Sequence, residues 1–129
     1  MKPDMMEEGC PCTGKNLDRL LQPSILLFLT QNELHGFLLV KKLGESPMFG
    51  GVYPDPSGLY RYLKKMQANG LLDSYTDPQK DAPDRTIYRI TDHGRECLGN
   101  WLDTLLDYDK RVNSLIDMIR DTIGNNEQE

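Results

Sequence analysis

The run from Pro54 to Gly70, PDPSGLYRYLKKMQANG, constrains this chain more than any other segment. Asp55 offers a carboxylate to cap a following helix, and Pro56 suits the first helical position, where no backbone donor is needed. Leu59, Tyr62, Leu63 and Met66 then recur at helical spacing and form one apolar stripe. Ser57, Arg61, Lys64 and Ala68 fall on the opposite side, flanked by Tyr60 and Lys65. Gly70 ends the helix. A short helix buried along one side, with small, cationic and aromatic groups along the other, suits the major groove of DNA. A surface helix with solvated lysines would share these features, so the segment that follows decides between the two.

That segment reads as a wing. Leu71 to Thr76 is a short strand, and Arg85 to Thr91 (RTIYRIT) a stronger one, rich in β-branched residues. Between them DPQKDAPD, with its Asp and Pro, reads as a hairpin loop. Capped helix, glycine and hairpin in this order predict a winged helix-turn-helix, mostly α with a small β-hairpin wing. Lys80, Arg85 and Tyr88 are the wing residues placed to position a duplex, while Asp77, Asp81 and Asp84 make the tip acidic.

Upstream, Ser24 to Thr30 (SILLFLT) is almost wholly apolar, too short to cross a bilayer, and predicts a buried helix beneath the recognition element. His35 to Leu43 predicts a second helix with Phe37, Val40 and Leu43 on one face and Lys41 and Lys42 near its C-terminal end. Met48, Phe49, Val52 and Tyr53 are expected to pin the Gly- and Pro-rich connection to the core.

These residues together resemble the PadR family of bacterial transcriptional regulators. The likeness rests on Leu34-His35-Gly36-Phe37, then PDPSGLYRYLKKMQANGLLDS, then RTIYRITDHGRECLGNWL, in family order and spacing from about Leu20 to Trp101. Each piece is weak alone and specific as a set. In one departure Ser57 precedes Gly58, where the family has Gly before Ser or Thr, so the hydroxyl is shifted by one position. The resemblance implies a dimeric DNA-binding regulator, most simply a repressor. Flat aromatic or lipophilic effectors would bind near its dimer interface, where Trp101, Phe28 and Tyr108 are the candidate residues. The arm GCPCTGKNLDRLLQP is further similar to a subgroup responsive to polyhydroxybutyrate.

The charge map suits this expectation better than the global figure. The net charge is −5, yet residues 35 to 95 carry nine cations against seven anions, whereas residues 96 to 129 carry three against eight. A mildly basic centre fits modest phosphate anchoring, doubled in a symmetric dimer. The dimer would form through the C-terminal helix. Leu98, Leu102, Leu105, Val112, Ile116, Ile119 and Ile123 recur in steps of four and three, with Asp109 the one polar interruption. Trp101, Leu106, Tyr108, Leu115 and Met118 widen the stripe. A core of this size covers only part of it, so a homodimer of two-fold symmetry is expected, reading an inverted-repeat operator in double-stranded DNA. The organisation expected is a flexible arm (1–15), the winged helix-turn-helix (16–95) and the dimerisation helix (96–129).

Cys10 and Cys12 flank Pro11, and Cys97 lies far away. Three cysteines so spaced make no secreted disulfide framework and point to a cytoplasmic protein. Cys-Pro-Cys could hold a soft metal or sense oxidation, with Cys97 a third thiol, or could be idle. No phosphate loop, nucleophile elbow, dinucleotide fingerprint or transmembrane run is present, so neither enzyme nor cofactor is expected. Two rivals to the effector-released repressor remain. One is a thiol- or metal-sensing regulator acting through Cys10 and Cys12. The other is a winged-helix module that binds a protein or polymer surface, suggested by the acidic wing tip.

Overall fold

A computed structural model describes residues 20 to 128. Helix α1 (Leu21–Gln31) is followed by a two-residue strand β1 (Leu34–His35), helix α2 (Gly36–Glu45) and a 3-10 turn (Pro47–Phe49). Helix α3 (Pro56–Ala68), strands β2 (Leu72–Asp77) and β3 (Arg85–Ile90), and helix α4 (Asp92–Gln128) complete the order. The chain divides into two compact units, 1–95 and 96–129, and α4 crosses that division. The fold is a winged helix-turn-helix followed by a long helix.

The strands form one antiparallel sheet in the order β1-β3-β2. Register pairs Leu72 with Ile90 and Asp77 with Arg85 along the hairpin, and Leu34 with Tyr88 on the other edge. The hairpin lies where the sequence suggests. Strand β1 is invisible in the sequence, because two residues carry no readable alternation; pairing with β3 makes it a strand.

One core gathers the stripe of each element. Ile25, Leu26 and Leu29 of α1, Leu39, Val40 and Leu43 of α2, and Leu59, Leu63 and Met66 of α3 are buried, with Leu71, Leu72, Tyr88 and Ile90 from the hairpin. Each such aliphatic side chain contributes roughly 1.5–3 kcal/mol on burial. Helix α1 packs mainly on β3 and α2, while α3 packs on α2 and β2, so α1 supports α3 through its neighbours.

Three expectations about apolar residues are corrected. Phe37 is 68% exposed, because the buried side of α2 runs through Gly36, Leu39, Val40 and Leu43, and Phe37 lies about 100° round the helix from Gly36. Val52 and Tyr53 are also exposed, since the loop before α3 turns outward through Gly50 and Gly51, both at positive φ. Tyr53 still covers Gly44, where a Cβ would collide with its ring. Met48 and Phe49 alone of that group are half-buried.

Helix α3 is fixed at both ends. The Asp55 carboxylate accepts from the amide of Gly58 at 2.8 Å. At the other end Leu71 donates to the Met66 carbonyl and Gly70 to that of Gln67, both at 3.0 Å. This double bond pattern needs a left-handed residue after the helix, and Gly70 supplies it at φ 79°. The start of α4 is locked to the same turn. The Thr91 amide donates to the Leu71 carbonyl at 3.1 Å, and the Thr91 hydroxyl donates to the Gly70 carbonyl at 2.6 Å. That hydroxyl also accepts from the Gly94 amide at 3.0 Å, capping α4.

Gly94 lies so close to the turn that a Cβ there would meet the Leu71 carbonyl oxygen and come within 2.7 Å of Ile90 Cγ1. Helix propensity favours alanine over glycine by about 1 kcal/mol. Overpacking against backbone that cannot swing aside costs about 1–3 kcal/mol, and here it should win. Gly94→Ala is therefore expected to lower Tm by several degrees in a thermal melt, and a rise in Tm would contradict this packing.

Candidate nucleic-acid interface

The outward side of α3 is accessible. Ser57, Arg61, Lys64, Lys65 and Ala68 are exposed, and Tyr60 is 42% exposed. The helix presents these groups because its opposite side is committed to the core through Leu59, Leu63 and Met66.

Tyr60 has a defined seat. Its ring lies over Gly36 at the start of α2, where any Cβ would occupy the same space. The Gly-aromatic pair after His35 is thus a packing device that lets α2 and α3 approach, in addition to being a sequence signature.

Beside this contact runs an open cleft of about 610 Å³. Its walls come from His35, Gly36 and Phe37 of β1 and α2, from Tyr60, Arg61 and Lys64 of α3, and from Asp84, Arg85, Thr86 and Tyr88 at the base of the wing. The fold therefore brings Tyr60, Arg61, Lys64, Arg85 and Tyr88 together, although the last two are distant in sequence from the others. Ser57, Lys65 and the exposed Lys80 lie outside the cleft walls.

Tyr88 does not project from the wing. It is only 8% exposed, because it shares the buried face of β3 with Ile90. Burial and then the neighbouring Tyr60 raise its pKa, so its phenol keeps its proton at neutral pH. The available signal is the period of two that puts Tyr88 on the same face of β3 as the apolar Ile90.

Electrostatics within the cleft favour an anion. Among the described residues Arg61, Lys64 and Arg85 form no ion pair, and Asp84 is the only acid in the walls. Arg89 behaves differently. Its guanidinium lies 3.9 Å from the Asp73 carboxylate and 5.3 Å from the centre of the Tyr75 ring, whose hydroxyl donates to Glu33 at 2.7 Å. That cation is engaged within the hairpin, so counting lysines and arginines overstates the positive charge on offer. At the tip, Asp77 accepts from Gln79 at 3.2 Å, while Asp81 is exposed.

His35 and Phe37 are the cleft residues that sequence reasoning misses. Their rings are nearly parallel, 12° apart with centroids at 6.4 Å. His35 Nδ1 accepts from the Leu38 amide at 3.4 Å, a long bond that caps α2 and requires the neutral ring. The available signal is the placement of a histidine directly before the Gly-aromatic pair, where a cap is needed.

On α4, Leu102, Leu106, Val112, Leu115, Ile116, Met118, Ile119 and Ile123 are exposed, while Leu98 and Leu105 are half-buried. Trp101 is half-buried and Tyr108 is 46% exposed, two turns further along the same helix; Phe28 is half-buried on α1. Cys10 and Cys12 lie outside the described residues. Among the described residues no cluster of metal-ligating side chains forms, and no helix is long and apolar enough to cross a membrane.

A three-helix unit with a hairpin wing and an exposed, partly cationic third helix defines a winged-helix protein. A family model for the PadR-like transcriptional regulators matches residues 25–100, and the chain belongs to that family. It is a family of transcription regulators, not of enzymes. No match is found among curated proteins. Among solved structures the chain is similar to a PadR-like transcriptional regulator of Bacillus cereus, with 28% identity and a TM-score of 0.67. That alignment covers 78% of this chain and 94% of the other. A Thermoplasma acidophilum protein is similar at 27% identity and a TM-score of 0.70, over 78% of this chain and 94% of that one. Bacillus subtilis PadR, solved in complex with operator DNA, is similar at 28% identity and a TM-score of 0.58, over 66% of this chain and 48% of that one.

The cap at His35 has a consequence for pH. Burial and then the Arg85 charge lower its pKa from 6.5. In the window between that lowered value and 6.5 the unfolded chain binds more protons than the folded one. The stabilisation is therefore complete above 6.5 and is lost as pH falls through the folded value. Thermal melts from neutral to mildly acidic pH should show Tm falling, and His35→Asn, which keeps a capping acceptor without a titration, should flatten that fall. An equal pH dependence in both proteins would contradict this role.

Proposed function

We propose that the chain binds double-stranded DNA as a homodimer of the PadR type and represses transcription by occupying an inverted-repeat operator. The observation that carries the DNA-binding part is the meeting of Arg61 and Lys64 of α3 with Arg85 of the wing around one open cleft, none of them neutralised by an ion pair among the described residues. Membership of a transcription-regulator family and the likeness to an operator-bound PadR support the same reading. In this account Ser57, Tyr60, Arg61, Lys64 and Lys65 meet the major groove and its phosphates. Lys80 and Arg85 hold the flanking backbone, and Tyr88 supports them from within the sheet.

The exposed stripe of α4 provides the dimer contact. Eight large aliphatic side chains from Leu102 to Ile123 stand in solvent in the single chain, more than an isolated helix surface ordinarily exposes. A second copy of the same helix buries them with two-fold symmetry, and two α3 helices then face successive major grooves about 34 Å apart. A small aromatic or lipophilic effector, received near Trp101 and Tyr108 of α4, would release the DNA by favouring a dimer in which that distance no longer fits.

Two measurements test this. In fluorescence anisotropy with the DNA directly upstream of its own coding sequence, Arg61→Ala and Lys64→Ala should each weaken binding by about 1–3 kcal/mol. If the replaced side chain pairs with a phosphate, the salt dependence should also become shallower by about one unit of slope. Unchanged affinity in both variants would refute the α3 assignment. In sedimentation, replacing Ile116 and Ile119 together by Asp should convert a dimer to a monomer. A monomeric parent protein, or a variant that stays dimeric, would refute the α4 interface.

A further inference from the structure

Phe37 is the most conspicuous side chain that this reading leaves unused. It is 68% exposed in the first turn of α2, although an aromatic ring gains from burial. It does not sit at random on the surface. It lines the same cleft as Arg61, Lys64 and Arg85, at the end of α2 that meets α3 through Gly36 and Tyr60. Its orientation is supported by the His35 imidazole, nearly parallel at 12°.

We infer that Phe37 is a DNA-contacting residue that packs on a deoxyribose of the backbone while Lys64 and Arg85 pair with phosphates on either side of it. The inference rests on the DNA-binding reading above. Three observations select this occupant. The cleft carries unpaired positive charge, which suits a polyanion. Phe37 belongs to the first helix of the helix-turn-helix, the element that crosses the backbone, whereas base edges are reached from the second. Finally, its ring has no donor or acceptor, so it can neither bind a phosphate nor read a base hydrogen-bond pattern. The sugar is the apolar part of the backbone that lies between consecutive phosphates. Desolvating a phenyl ring there is worth about tenfold or more in affinity.

The contact has a signature that separates it from the cations. It releases no counterion, so it adds affinity without adding salt dependence. It is also blind to sequence, because every nucleotide carries the same sugar.

The test compares the parent protein with Phe37→Ala, Phe37→Tyr and Arg61→Ala. Each is titrated into the DNA upstream of its own coding sequence and into a scrambled duplex of equal length and composition, across a salt series. Phe37→Ala should lose about tenfold in affinity on both duplexes, with an unchanged salt slope and an unchanged Tm. Phe37→Tyr, which keeps the ring, should bind within about twofold of the parent. Parent-like affinity in Phe37→Ala while Arg61→Ala binds weakly overturns the inference and leaves the DNA-binding reading intact. Parent-like affinity in both variants, or a parent protein that binds neither duplex, overturns both. A loss confined to the upstream DNA, reproduced by replacing thymine with uracil, would make Phe37 a base contact and overturn the sugar assignment.

Discussion

The junction between Gly70, Leu71, Thr91 and Gly94 holds the winged-helix unit in register. One threonine hydroxyl donates to the Gly70 carbonyl just after α3 and accepts from the Gly94 amide in the first turn of α4. The turn between α3 and the start of β2 cannot shift without breaking these bonds, and Gly94 admits the close approach because it has no side chain. With its far end capped by Asp55, α3 has both termini satisfied and its apolar side buried. Rigid placement of this kind lets a handful of exposed groups act together: the binding partner does not have to supply the cost of ordering them.

Much of this architecture is legible in the sequence because it depends on local rules. Asp55-Pro56 marks the start of α3, Gly70 its end, and the β-branched run at Arg85 to Ile90 a strand. The apolar period of α3 shows which side faces solvent, and Arg61 and Lys64 follow from it. What the sequence conceals depends on tertiary neighbours. Tyr88 shares one face of β3 with Ile90, and that face is buried because helix α1 packs on β3. Phe37 stands three residues before Val40, yet the side of α2 that the core covers is the one through Gly36, Leu39, Val40 and Leu43. Charge counting gives Arg89 the same weight as Arg61, although Asp73 and Tyr75 occupy it. Periodicity reports direction around a helix or strand; it does not report where the neighbouring element stops.

The electrostatic design concentrates a small surplus in one place. The chain as a whole is acidic, at −5, and an acidic chain would be repelled by DNA if its charge were evenly spread. Here three cations left unpaired surround one cleft, and the acids concentrate elsewhere, eight of them in residues 96 to 129. A modest local surplus gives moderate affinity per subunit. A dimer that engages two half-sites would multiply this, and for the same reason would be sensitive to anything that alters the spacing of its two halves. The apolar stripe of α4, long and exposed, is the part of the chain suited to set that spacing.

Chemical footprinting of the purified protein on the DNA upstream of its own coding sequence tests the central claim most directly. Guanine N7 methylation reads the major groove and hydroxyl-radical cleavage reads the backbone. The account requires two protected major-groove patches on one face of the duplex, related by a two-fold axis and separated by about one helical turn. Protection limited to the minor groove, a single unpaired patch, or no protection at low salt would contradict it.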